Sequence, residues 1–107
     1  MELNENIMLR CHAIAQYYGF DAQSNQLIEE FAELIQAINK YKRQFLRGQP
    51  VGIKPGVLEP RAMIVEGIAD VEVMLCQMKY LLGIEEEEIE AVRERKIERT
   101  FERMGEQ

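Results

Sequence analysis

The chain has 107 residues, of which 47% are hydrophobic and 30% charged. This is the make-up of one ordinary globular domain spanning 1–107, which excludes a disordered tail and a multidomain enzyme. Thirteen basic against nineteen acidic side chains leave a net charge of −6, so a global attraction to nucleic acid or to anionic lipid is disfavoured.

The opening stretch from Met1 to Asn6 lacks a basic segment followed by an apolar one. No later apolar run approaches the ~18 residues that a bilayer span needs. The expectation is a cytoplasmic protein with no nucleic-acid and no membrane partner. Cys11 and Cys76 fall inside apolar-periodic segments without a C-x-x-C spacing, which reads as two reduced, buried thiols. His12 is the single histidine, so a multi-histidine metal site is excluded.

Breaks at Gly19 to Ser24, at Gly48 to Pro60 and at Gly83 divide the chain into four helical segments. The first, about Glu5 to Tyr18, places Ile7, Cys11, Ile14 and Tyr18 at helical spacing, and Gly19 is a natural left-handed stop. Asp21 or Ser24 is then available to cap the second helix, about Ala22 to Arg47. There Leu27, Phe31, Leu34, Ile38, Tyr41 and Phe45 form one stripe, widened by Ile28 and Ile35. The glycines and prolines from Gly48 to Pro60 predict a long connecting loop, either a lid or only a link.

A third helix, about Arg61 to Leu82, is apolar around most of its circumference, as a central element packed on several sides would be. After Gly83, Glu85 to Glu88 open a fourth helix at the positive end of its dipole, and Arg93, Arg95, Lys96, Arg99 and Arg103 follow towards its end. The architecture expected is all-α, a four-helix bundle. A domain of this length buries only roughly 65% of the surface its unfolded chain exposes, so a broad apolar face invites a second subunit.

Glu29, Glu30 and Glu33 lie within about a 100° arc of the second helix, beside its apolar stripe. Like charges so close repel unless a cation sits between them. On the third helix Glu66, Asp70 and Gln77 fall within about 40° of one another, while Glu72 and Lys79 form a separate stripe read as the solvent side. A carboxylate on a mostly buried helix is costly unless paired or metal-bound. If the two helices pack antiparallel, these acids converge into a set of hard oxygens suited to magnesium or manganese. The plainer alternatives are a solvated acidic face and an Asp70 paired with Lys40 or Arg99.

The string from Gln26 to Ala37, with Glu29, Glu30 and Glu33, followed by Ile68-Ala69-Asp70-Val71-Glu72-Val73-Met74-Leu75, resembles the MazG-like all-α nucleoside triphosphate pyrophosphohydrolases from about Ala13 to Arg99. That family carries Glu-Glu-x-x-Glu on one helix and Glu-x-x-Asp on another, binding magnesium in a helical bundle completed by dimerisation or tetramerisation. Here Asp70 matches the aspartate, and Gly67 stands where the family has glutamate, with Glu66 one residue earlier. Restoring a glutamate at position 67 is accordingly expected to raise metal affinity or activity.

The resemblance implies cleavage of a nucleoside triphosphate to the monophosphate and pyrophosphate by a homodimer or homotetramer. Magnesium, or manganese, would be held by Glu30, Glu33, Asp70 and Glu66, with Glu29 and Glu33 as catalytic carboxylates and Glu29 orienting the attacking water. Lys40, seven residues after Glu33 and on nearly the same face, is a candidate phosphate contact, followed by Lys96 and Arg99. The glycine at 67 keeps open a catalytically weakened nucleotide- or metal-binding relative, and a structural helical oligomer is the third reading. Gln23, Asn25 and Gln26 read first as cap and turn residues. His12, Tyr17, Tyr18, Tyr80 and the six methionines read as packing.

Overall fold

The computed structural model describes residues 3–46 and 59–106. Three α-helices account for nearly all of them: α1 (Glu5–Leu46), α2 (Pro60–Leu82) and α3 (Glu86–Gly105). The expected all-α class is what the chain adopts. The two predicted N-terminal helices follow one another as the two limbs of α1, separated by a kink at Gly19. Gly19, at φ 84° and ψ 172°, still turns the helix there, in backbone space that is essentially reserved for glycine. Ser24 does not cap a new helix; its Oγ donates to the Asp21 carbonyl at 3.1 Å. The predicted loop lies outside the described residues except at its end, where Pro60 occupies the first turn of α2 and needs no N–H partner there.

Beyond the turn, α1 runs antiparallel to α2. Leu34 packs on Gly67, Glu30 interacts with Asp70, and Gln23 bonds Gln77, so residue numbers on one helix fall as those on the other rise. Gly67 sets how closely the helices approach. A Cβ added there would sit 3.0 Å from Leu34 Cδ1 and 3.5 Å from its Cα. The small apolar core comprises Cys11, Ala15 and Ala37 of α1 with Val71, Met74, Cys76 and Met78 of α2. The stretch of α1 before Gly19 crosses the end of α2, where His12 stacks on Tyr80 with ring centroids 4.3 Å apart. Cys11 and Cys76 are both buried and free, as expected.

α2 ends at Gly83, whose left-handed backbone (φ 64°, ψ 31°) lets its N–H reach the Lys79 and Tyr80 carbonyls. α3 starts three residues after α2 ends, and Glu88 Oε2 accepts from the Glu85 N–H at 2.7 Å to close its first turn. Glu86 accepts from Lys79 at 2.9 Å and Arg93 at 3.3 Å. The predicted solvent stripe of α2 is corrected accordingly: Lys79 is tied to Glu86, and Glu72 is half-buried. α3 packs on neither α1 nor α2 and buries none of its residues. α2 is thus not enclosed on several sides within one chain; Val65, Ile68, Tyr80 and Leu82 are exposed.

Candidate carboxylate site

Helix spacing puts Gln26, Glu29, Glu30 and Glu33 along one flank of α1, and Glu66, Asp70 and Gln77 along the matching flank of α2. In an antiparallel pair those flanks share an edge, so acids from both helices line one shallow groove. Gln26 Nε2 donates to Glu30 Oε1 at 2.8 Å. The other oxygen, Glu30 Oε2, is buried without a hydrogen-bond partner, which is costly for a carboxylate.

Asp70 is held above the ordinary carboxylate range. Burial is the largest cause, followed by the charge of Glu30, a hydrogen bond to that carboxyl and the charge of Glu66. Glu33 is raised too, first by the Glu30 charge, then by slight loss of hydration, a hydrogen bond with Glu30 and the charges of Asp70 and Glu29. These observations describe two protonation states of one cluster. When every carboxyl is ionised Glu30 Oε2 has no donor, and a proton held by Glu33 or Asp70 supplies one. No lysine or arginine pairs with Asp70 among the described residues, so neither Lys40 nor Arg99 plays that part.

The donor set is all hard oxygen, and one of those oxygens is buried and unsatisfied, which is chemistry that suits magnesium. Among the described residues, however, no three such side chains converge closely enough to hold an ion as they stand. The exposed carboxyls of Glu29, Glu33 and Glu66 are the ones with room to move.

Lys40 is half-buried two turns beyond Glu33, in a shallow depression with Gln36, Asn39, Arg43 and Met63. Lys96 and Arg99 are exposed on α3, which meets α2 at its first turn through Glu86 and Lys79 and does not pack along either acid-bearing helix. They therefore stand apart from the carboxylates of their own chain. The cause is the short link after Gly83 and the anchoring of Glu86, neither of which shows in charge spacing.

Gln23 and Gln77, read from sequence as a turn residue and as a polar neighbour of Asp70, form a buried side-chain hydrogen bond of 2.7 Å. Gln77 is only 1% exposed, and its Nε2 also approaches Met74 sulfur at 3.6 Å. This amide pair ties the two helices together beside the acids. Its signal in the sequence was the shared flank of Gln77 and Asp70. His12 stacks on Tyr80. Tyr17 and Tyr18 are not core residues; they pair edge to face at 4.9 Å on the exposed surface of α1. A larger open cleft of about 1070 Å³ lies between the start of α1, the end of α2 and α3, away from the carboxylates, and its cations Lys79 and Arg93 are already paired with Glu86.

The chain matches no protein-family model, no curated protein and no solved structure. No described helix is long and apolar enough to cross a membrane.

Proposed function

We infer that the chain is a magnesium-dependent nucleoside triphosphate pyrophosphohydrolase of the MazG-like kind. It would cleave ribo- or deoxynucleoside triphosphates to the monophosphate and pyrophosphate, in the cytoplasm, as a homodimer or homotetramer. The observation that carries this reading is that Glu33 of α1 and Asp70 of α2 both feel the charge of Glu30, one of whose carboxylate oxygens is buried and unpartnered, with no cation paired to Asp70 among the described residues. A structural acidic face would have its charges spread into solvent; this one concentrates them at a cost.

Glu30, Glu33, Asp70 and Glu66 would hold the ion, magnesium or manganese, drawn together from their present separation. Bound there, it would neutralise phosphate oxygens and lower the pKa of a coordinated water. Glu29, exposed beside Glu33, would orient the attacking water. Lys40 extends the same flank as a phosphate contact.

A second reading, a weakened relative that binds metal or nucleotide with little turnover, is favoured by Gly67. That position faces Leu34 across the helix contact rather than the groove, so the family's second-motif carboxylate has no counterpart in place, and Glu66 must serve from one residue earlier.

The test is a panel of nucleoside triphosphates incubated with magnesium or manganese and scored for monophosphate plus pyrophosphate. The expected result is metal-dependent release that falls at least about a hundredfold in Glu33→Ala and Asp70→Ala. Tight metal-dependent nucleotide binding without release would select the second reading. Neither binding nor release would leave the structural oligomer.

A further inference from the structure

The two cysteines of the chain lie on different helices and meet in the interior. Cys11, on the limb of α1 before Gly19, is 4% exposed and Cys76, near the end of α2, is 5% exposed; both are free. The Cys76 thiol hydrogen-bonds that of Cys11. Their neighbours hold the two backbones close. Ala15, one turn beyond Cys11, is completely buried and has almost no side chain to separate the helices. His12, next to Cys11, stacks on Tyr80, one turn beyond Cys76. A disulfide needs facing elements whose Cβ atoms come within about 4.5 Å, and this is the place in the fold where two thiols face each other across a helix contact.

The pair is reached from one side. Cys76 lines the open cleft of about 1070 Å³ between the start of α1, the end of α2 and α3, and Cys11 does not. Burial, and after it the charge and hydrogen bond of Cys11, hold the Cys76 thiol above its ordinary range; Lys79 lowers it and Glu86 raises it by smaller amounts. Cys76 is therefore a protonated, slow nucleophile at neutral pH, and the pair stays reduced unless an oxidant persists. What a bond here would hold is the first limb. That limb joins the rest of α1 through Gly19, whose backbone at φ 84° lies outside helical space, and it is fastened to α2 by the buried Cys11 and Ala15 and by the His12 stack. A short terminal segment fastened in this way is among the first to open locally.

We propose that Cys11 and Cys76 are a disulfide site, closed under sustained oxidising conditions, that pins the first limb of α1 to the end of α2. The oxidant is a low-molecular-weight disulfide that enters by the cleft. Cys76 gives its proton to solvent, and its thiolate attacks one sulfur of that disulfide; the S–S bond breaks, and the displaced thiolate takes up a proton and leaves as a thiol. Cys11, deprotonated in turn, attacks the Cys76 sulfur of the mixed disulfide, forming the Cys11–Cys76 bond and expelling the second thiol. Two protein thiols are oxidised and one external disulfide is reduced to two thiols. The bond closes the long stretch of chain from Cys11 to Cys76, so it stabilises the fold as well as fixing the limb. It uses none of the carboxylates, and the proposal stands independently of the nucleotide reading.

The test is incubation of the full chain with glutathione disulfide in mildly alkaline buffer, read by intact mass, peptide mapping and urea unfolding. The unmodified protein is expected to lose the mass of two hydrogens, to yield a linked Cys11–Cys76 peptide without a lasting glutathione adduct, and to unfold at a higher urea midpoint. Cys11→Ala should stop at a single glutathione adduct on Cys76. Cys76→Ala, whose remaining thiol does not line the cleft, should react at least about tenfold more slowly than Cys11→Ala. The unmodified chain decides the question even where a variant fails to fold. Two glutathione adducts, a cross-link between chains instead of within one, thiols that react only after urea has unfolded the protein, or an oxidised form with a lower midpoint would each overturn the proposal. Equal rates for the two variants would overturn entry through Cys76. Pyrophosphate release, present or absent, bears on the hydrolase reading alone.

Discussion

Asp70 sits on a half-buried face of α2 with the carboxyls of Glu30 and Glu66 for neighbours, so folding favours its protonated form. Glu33 behaves alike, mainly through Glu30. For carboxyls raised in this way, the contribution to stability is complete below their unfolded pKa values and is lost as pH rises through the higher folded values. The metal-free protein therefore holds these charges at neutral pH against their mutual repulsion. Glu86 has the opposite sign: hydrogen bonds first from Lys79 and then from Arg93 lower it, so its contribution is present at neutral pH and disappears as pH falls through that lowered value. Gly67 is governed by packing rather than charge. Gly67→Glu is expected to destabilise the chain by about 1 to 3 kcal/mol in urea unfolding, because a long side chain must be forced between α2 and Leu34. That replaces the gain in metal affinity expected from the motif alone; a variant with unchanged stability and tighter metal binding would return position 67 to the groove. The spacing of Glu29, Glu30 and Glu33 announced the acidic flank, but the face that Gly67 presents depends on the register between two helices, which one helix's periodicity does not contain.

Element by element, α1 illustrates what a break signal does and does not say. Gly19 was legible as an interruption, and the chain does turn there, its non-helical backbone separating two helical limbs. The local residues chose the turn, while the packing of the first limb, with buried Cys11 and Ala15, kept the second limb attached. Gly19→Ala should cost about 1 to 3 kcal/mol, read as a lower urea midpoint, even though open space surrounds the position. The penalty comes from φ 84°. An unchanged midpoint would mean that the turn is not held in that conformation. α3 was legible as a helix from its charge order and its capping residues. Its direction was not, because it depends on the left-handed Gly83 and on Lys79 and Arg93 gripping Glu86. Those contacts separate Lys96 and Arg99 from the carboxylates they were expected to serve.

Across the whole molecule, the radius of gyration is 17.4 Å, against about 13 Å for a compact domain of this length. One α1 and α2 pair with a projecting α3 does not make a closed core, and the apolar circumference of α2 that suggested a central helix is partly bare. Sequence periodicity reported correctly how much apolar surface must be covered. It does not say what covers that surface, since a stripe reads the same whatever its partner is. The acids and the bare apolar residues occupy opposite edges of the pair.

The central claim, that acids from α1 and α2 share a divalent cation, is tested most directly by the urea midpoint at neutral pH with and without magnesium, for the unmodified chain and for Asp70→Asn. Without metal, Asp70→Asn should be the more stable protein, because it removes one of the repelling charges. Magnesium should raise the midpoint of the unmodified chain, by the equivalent of about 2.7 kcal/mol of unfolding free energy at a hundredfold excess over its dissociation constant, and leave that of Asp70→Asn nearly unchanged. Equal responses of the two proteins to magnesium, or no response in either, would contradict the account.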